Sequence, residues 1–411
     1  MRSLLIPLLL AATALPGLSQ NAIELIRMSA KPNDKFRAAL IKVMGDEAIV
    51  KGVAAVGKGS DYIFAVESTK PPVLFIDGKS FGKMKRVKGW NLWFRASRLR
   101  AGSAHSFYYE IDGRRKGGQT DLPVYLPDCY PQAGVPQGKL SEKLVHQSHI
   151  YEGMVCDYWI YVPAQYDPRK PAALMVWQDG QNHIHRDGKA KTLNVIDNLT
   201  HQGKIPVMIT VFIAPGHVGE KRIRSLEYDR IDDTYARFLH DELLPEVTKK
   251  YNIRPGACAR AIAGVSSGAV CAFNVAWRHP DRFSRVLSLI GSYTSIAGVE
   301  QGGHLFPFKV RKEEVRNIRV WLQDGENDVE NQHGSWPLMN LQLANSLKFK
   351  GYDFHFSWGT GSHNPAHGYA ELPVSLAWLW RGYDPAKAQE VFTMDQEERK
   401  RPYFRVRTLN R

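Results

Sequence analysis

Ala261-Ile262-Ala263-Gly264-Val265-Ser266-Ser267-Gly268-Ala269-Val270-Cys271-Ala272-Phe273 is the stretch on which the reading of this chain turns. Its first three residues end a short apolar run that reads as a buried strand. The residues after Gly268 are small or apolar with no breaker among them, and they read as a helix. Between the two lies G-x-S-x-G, in the strand–turn–helix setting that gives the pattern chemical meaning. So sharp a turn has no room for side chains beside the serine, and Gly264 and Gly268 supply that room. Ser266 is then held on a strained backbone at a strand end, beside a helix N-terminus. The spacing makes Ser266 the candidate nucleophile rather than Ser267, whose backbone N–H becomes a candidate oxyanion donor.

Around this turn, strands and helices alternate. Cys156–Pro163, Ala172–Trp177, Pro206–Ile213, Ala259–Ala263, Val286–Ile290, Ile318–Leu322 and Asp353–Trp358 read as strands, several almost continuously apolar. A helical stretch over Thr234–Tyr251 lies among them. This pattern predicts an α/β domain over 139–384, a mainly parallel sheet covered on both faces. The earlier part of the chain has a different rhythm. A short helix is expected near Asn33–Val43, and then short alternating runs follow at 62–66, 72–78, 90–94 and 106–113. They predict a small β-sandwich over 20–118. Trp90 and Trp93 could stack on sugars, although core packing is the commoner use of such residues. Residues 119–138, rich in Pro, Gly and polar residues, read as a linker, and 385–411 as a charged tail.

A serine hydroxyl needs a base, and on a sheet of this kind the acid and then the histidine follow the serine in the chain. The strand ending at Leu322 leads into Gln323-Asp324-Gly325-Glu326-Asn327-Asp328. Asp328, past the glycine turn, can reach a base; Asp324, at the strand edge, is the second candidate. The last strand leads into Gly359-Thr360-Gly361-Ser362-His363-Asn364-Pro365-Ala366-His367. His363 follows the glycines directly and is the expected base, with His367 and His333 as rivals. The second oxyanion donor is expected after Trp177, in Gln178-Asp179-Gly180-Gln181-Asn182, with Gln181 as the choice.

The chain has 411 residues, 44% of them hydrophobic, and a formal net charge of +14. Residues 1–19 carry one positive charge, a short apolar run and small residues near the end, and read as a signal peptide; a secreted or periplasmic location follows. No other run is apolar enough for a membrane span. The basic surface suits acidic partners, yet no nucleic-acid motif is present. Of the four cysteines, Cys129 and Cys156 could pair in an exported protein, whereas Cys258 and Cys271 read as buried small hydrophobes. Their spacing suits no metal, and no cofactor is expected.

The region from about Lys139 to Tyr383 also resembles the Putative esterase family of α/β-hydrolases, which includes enterochelin esterases, feruloyl esterases, S-formylglutathione hydrolases and mycolyltransferases. The resembling segments are Trp177-Gln178-Asp179-Gly180-Gln181, Arg224-Ser225-Leu226-Glu227-Tyr228-Asp229 and Phe238–Pro245. They continue with Ala261–Gly268, Leu322–Asp328 and Trp358–His363. The similarity is strongest to the exported enterochelin-esterase-like branch. It implies an α/β-hydrolase domain with Ser266, Asp328 and His363 as a triad. Arg224, Glu227 and Tyr228 would sit in a loop near the pocket, binding substrate or forming an ion pair that orders the loop. Members often carry an aromatic residue soon after the base, where this chain has Asn364-Pro365-Ala366; the pocket is therefore expected to differ. The N-terminal module resembles the immunoglobulin-like modules of some esterases. The implied activity is hydrolysis of a small-molecule or polysaccharide ester, siderophore or carbohydrate-linked. Acyl transfer on the same fold, or glycan binding without catalysis, remain as alternatives.

Overall fold

The computed structural model describes residues 16–406, and side chains from 21 on. Of the signal peptide expected over 1–19, residues 1–15 lie outside the described residues, and 16–19 open helix α1 (Pro16–Met28). Among the described residues no helix is long and apolar enough to cross a membrane. The chain forms two compact units. One is the described part up to Leu99 with Phe107–Gly118; the other is Arg100–Ser106 with the described part from Gln119 on.

In the first unit, α1, α2 (Asp34–Met44) and α3 (Asp46–Lys51) precede the strands. Asn33 starts α2 by accepting from the Phe36 N–H, which satisfies one of the helix's free donors. Two four-stranded antiparallel sheets follow. One joins β1 (Ala54–Lys58), β2 (Asp61–Glu67), β6 (Leu92–Arg98) and β5 (Lys85–Arg86). The other joins β4 (Lys79–Lys83), β3 (Val73–Ile76), β7 (Ser103–Ile111) and β8 (Arg114–Val124). Alternation along β2 explains the layering. Ile63 and Ala65 pack with Phe36 and Leu40 of the helices, while Phe64 turns to the other sheet and meets Phe107 edge-on at 4.9 Å. Trp93 is buried and donates to the Ser68 carbonyl, so it serves packing rather than sugar stacking. Trp90 is exposed under the Arg37 guanidinium.

The second unit is built on an eleven-stranded sheet. Its central strands are β11 (Met154–Val162), β12 (Ala173–Gln178), β13 (Met208–Ile213), β16 (Arg260–Val265), β17 (Arg285–Leu289), β18 (Arg319–Gly325) and β21 (Asp353–Gly359). From β13 to β21 the neighbours pair in parallel in the order β13-β12-β16-β17-β18-β21, and β11 joins antiparallel. Short strands β9 (Lys139–Leu140), β10 (Leu144–Gln147), β14 (His217–Val218) and β15 (Lys221–Arg222) extend it. The hairpin β19 (Glu330–Asn331) and β20 (Gly334–Ser335) stands apart. Ala173, Met175 and Trp177 of β12 pack into the core on one face, and Leu174 and Val176 into that on the other. That double burial is why these strands read as continuous apolar runs.

Residues 119–138, expected as a linker, are held down. Asn198 Nδ2 donates to the carbonyls of Asp128 and Tyr130, and Asn194 Nδ2 to that of Cys129. All four cysteines are free and buried. The suggested Cys129–Cys156 bridge is absent because the two thiols lie in cores on opposite faces of the sheet. The charged tail is engaged too. Glu390 pairs with the buried Arg285 guanidinium, and Glu398 with Lys348.

Candidate active site

Strand β16 delivers Ser266 into a turn with φ 60° and ψ −121°, a conformation an L-residue adopts only under constraint. A helix, Ser267–Arg278, starts at the next residue. A Cβ on Gly264 would lie 2.1 Å from the Gly268 carbonyl oxygen, so only glycine permits the turn. Ser266 Oγ is 2.8 Å from His363 Nε2. His363 Nδ1 is 2.6 Å from Asp328 Oδ1, and Asp328 has no exposed side-chain surface. The hydroxyl, imidazole and carboxylate therefore form one continuous hydrogen-bonded line.

Two loops hold the line in register. Glu326 N–H donates to the Gly359 carbonyl and Asn327 N–H to that of Gly361, so the acid loop and the base loop are laced backbone to backbone. Asp121 fixes the base loop from its other side. Its Oδ1 accepts from Ser362 N–H at 2.9 Å and its Oδ2 from Ser362 Oγ at 2.5 Å. Asp121 itself sits at φ 58°, and the two bonds it makes are what offset that strain.

The rival residues stand elsewhere. Asp324 is buried beside Asp328, its Oδ1 taken by the Gly325 N–H. Burial, with the Asp328 carboxylate next to it, pushes the Asp324 carboxyl well above the usual carboxylate range. His367 is buried at 3.5 Å from Glu371, away from the serine. Burial pulls its imidazole down to about 4 and pushes Glu371 up to about 8, so the pair is uncharged between those values. His333 gives its carbonyl to Ser295 and takes no part in the line.

The expected oxyanion loop is a short turn, Gly180–Asn182, entered through Asp179 at φ 53°. A Cβ on Gly180 would lie 2.3 Å from the backbone of Phe212 and Ile213, which explains the glycine. Arg224, at the start of the short helix Arg224–Tyr228, grips Asp179 with Nε and Nη2, each at 2.7 Å. Ser267 is buried near Asp229, whose Oδ2 accepts from the Ser225 hydroxyl.

Arg224, Glu227 and Tyr228, expected to bind substrate or to order the loop, differ sharply in exposure. Glu227 is 2% exposed and accepts from the Gly216 N–H; Tyr228 is 0% exposed and lies beneath Arg224. Neither side chain offers appreciable surface, and burial pushes the Glu227 carboxyl up to about 7. Arg224 is the one of the three with an exposed face. Asp121, Asp179, Ser292 and Trp336 border the site without having been singled out from sequence. Ser292 Oγ lies 2.9 Å from Ser266 Oγ and accepts from Trp336 Nε1 at 3.0 Å. The only available signal was position, since Ser292 follows the strand next to the nucleophile strand.

Three comparisons bear on this site. The iron(III) enterobactin esterase of Dickeya dadantii is 25% identical over 255 residues. That alignment covers 60% of this chain and 55% of the relative, so the chain spans little over half the relative's length. The crystal structure of the Shigella flexneri enterobactin esterase with 2,3-dihydroxy-N-benzoyl-serine superposes with a TM-score of 0.53 at 19% identity. It covers 78% of this chain and 93% of that one. The Salmonella typhimurium ferric enterobactin esterase gives 0.52 at 16%, with coverage of 78% and 93%. At these identities the structures establish the shared α/β-hydrolase-like fold. The profile of the family described as Putative esterase matches residues 155–377, more than half of the chain and every residue from Ser266 to His363. The chain belongs to that esterase family.

Proposed function

We propose that the protein is a serine carboxylic ester hydrolase in which Ser266, His363 and Asp328 form the triad. The observation that carries this reading is the unbroken line from Ser266 Oγ through His363 to Asp328, with contacts of 2.8 and 2.6 Å. His363 takes the serine proton as Oγ attacks the ester carbonyl, and Asp328 fixes the ring so that Nε2 faces the serine. The backbone N–H groups of Ser267 and Gln181 receive the oxyanion. The leaving alcohol takes the proton from His363. Water then attacks the acyl-enzyme by the same route in reverse.

The relatives' names point to esters of hydroxybenzoyl-serine type as the first substrates to try, with feruloyl esters beside them. Arg224 is read as a substrate contact, supported by its exposed face beside the turn after Gln178. The unit before residue 119 is read as an immunoglobulin-like accessory module, supported by its two facing antiparallel sheets. Residues 1–19 are read as a leader, which would place the activity outside the cytoplasm.

Hydrolysis of a short-chain p-nitrophenyl ester by wild type and Ser266→Ala tests the assignment. Turnover by wild type and a loss of about 10⁴-fold or more in the variant is expected. Equal rates in both would remove Ser266 as nucleophile.

A further inference from the structure

The hydroxyl of Ser292 touches the nucleophile. It lies 2.9 Å from Ser266 Oγ, and the Ser292 N–H donates to the Ser266 carbonyl at 3.1 Å. Ser292 is 2% exposed, so this hydroxyl is not there to meet solvent. Its placement is enforced by the helix Trp336–Lys350. Trp336 Nε1 donates to Ser292 Oγ at 3.0 Å, and one turn on, Asn340 Nδ2 donates to the Gly291 carbonyl at 2.8 Å. The Trp336 ring also stands edge-on to His363, with centroids 5.7 Å apart.

Donor chemistry fixes the direction of the chain of bonds. An indole N–H only donates, so Ser292 Oγ is an acceptor towards Trp336. The Ser266 proton points to His363 Nε2, because Nδ1 carries the proton that Asp328 accepts. The remaining proton, that of Ser292, is therefore directed at Ser266 Oγ.

We propose that Ser292 is a further catalytic residue, a hydroxyl donor that stabilises Ser266 Oγ when that oxygen is the leaving group. The proposal rests on the triad assignment above. In deacylation, a water oxygen bonds to the acyl carbon and its proton passes to His363. The bond from carbon to Ser266 Oγ then breaks, the electron pair stays on Oγ, and His363 returns the proton to it. Ser292 keeps its own proton throughout and supplies only a hydrogen bond, strongest as charge gathers on Oγ. In acylation the same bond meets a neutral attacking oxygen and helps little. Ser292 thus acts selectively on release of the acyl group.

The test follows p-nitrophenol release from p-nitrophenyl acetate by stopped flow, using the whole chain. Ser266→Ala is the control for the triad, and retained turnover there overturns both assignments. With that variant inactive, Ser292→Ala is expected to release a burst close to one equivalent per enzyme. A slow phase about ten- to a hundredfold below wild type should follow. An unchanged slow phase, or slower acylation without a full burst, overturns the role of Ser292 and leaves the triad standing. Trp336→Phe keeps a ring against His363 and removes the donor to Ser292. It should slow the same phase to a smaller degree and cost nothing further in the Ser292→Ala background. Additive losses would overturn the proposal. Should Ser292→Ala fail to fold, a normal slow phase in Trp336→Phe would overturn it alone.

Discussion

Arg224 and Asp179 meet fork to fork, two 2.7 Å bonds that tie the helix Arg224–Tyr228 to the residue that enters the turn Gly180–Asn182. Asp179 is 6% exposed and lies at a positive φ, so its carboxylate and its backbone both depend on this partner. Arg224→Ala is expected to lower kcat by about tenfold or more through a displaced turn, and Arg224→Lys to recover little, because an ammonium cannot make the paired contact. Asp179→Asn, which tolerates the same backbone, should fall between wild type and Arg224→Ala. Esterase kinetics on the three variants check the order. Wild-type kcat in Arg224→Ala, with a raised KM, would instead mark Arg224 as a pure substrate contact.

The two neighbouring aspartates should separate cleanly. Asp328→Asn leaves His363 without the carboxylate that sets its tautomer, and a drop of about 10⁴-fold in kcat is expected. Burial and the neighbouring Asp328 carboxylate favour the protonated form of Asp324, so Asp324→Asn, which also offers a donor, should stay within about tenfold of wild type. Asp324→Leu, which leaves the Asp328 carboxylate beside an apolar group, should be much worse. The assignment inverts if Asp324→Asn is the dead variant and Asp328→Asn the active one.

Asp121→Ala unpairs both the N–H and the hydroxyl of Ser362, next to the base. A loss of about 1–3 kcal/mol in stability is expected, with a fall in kcat as His363 drifts from the serine. Asp121→Asn keeps an acceptor and the positive φ and should lose much less. Thermal melting and steady-state rates on both variants decide it; a wild-type kcat in a destabilised Asp121→Ala would limit Asp121 to a structural part.

Stability should fall on both sides of a middle pH. Glu371, raised from 4.5 to about 8 by burial, binds its proton more tightly folded than unfolded. Its contribution is full below about 4.5 and is lost as pH climbs to about 8. His367, lowered from 6.5 to about 4, has the opposite sign: its contribution is full above 6.5 and is lost as pH drops towards 4. Glu371→Gln should flatten the alkaline limb of a melting-temperature profile between pH 5 and 9. An unchanged slope there would show that Glu371 titrates normally.

The tight turn at Ser266, the approach of His363 and Asp328 to it, and the parallel strands were legible because each is written locally: glycines where backbone crowds backbone, apolar runs where a strand is covered twice. What escaped was set by partners distant in sequence. Asp121 looks like a linker residue until Ser362, 241 positions later, comes to it. Glu390 looks solvated until Arg285, 105 positions earlier, is found buried beside it. The burial of Glu227 and Tyr228 was hidden for a different reason. A short polar-looking helix at a pocket gives no sign of which face turns inward.

Asp121 also carries a practical message for anyone trimming this protein. A fragment begun at 139, where the large sheet starts, would keep the serine, the imidazole and the acid, and could fold around an intact nucleophile turn. It would lack the carboxylate that holds Ser362. Such a fragment is expected to hold the three side chains without the tie that steadies His363 against the serine, and to work more slowly than the whole chain. The shortest piece worth expressing begins before Asp121.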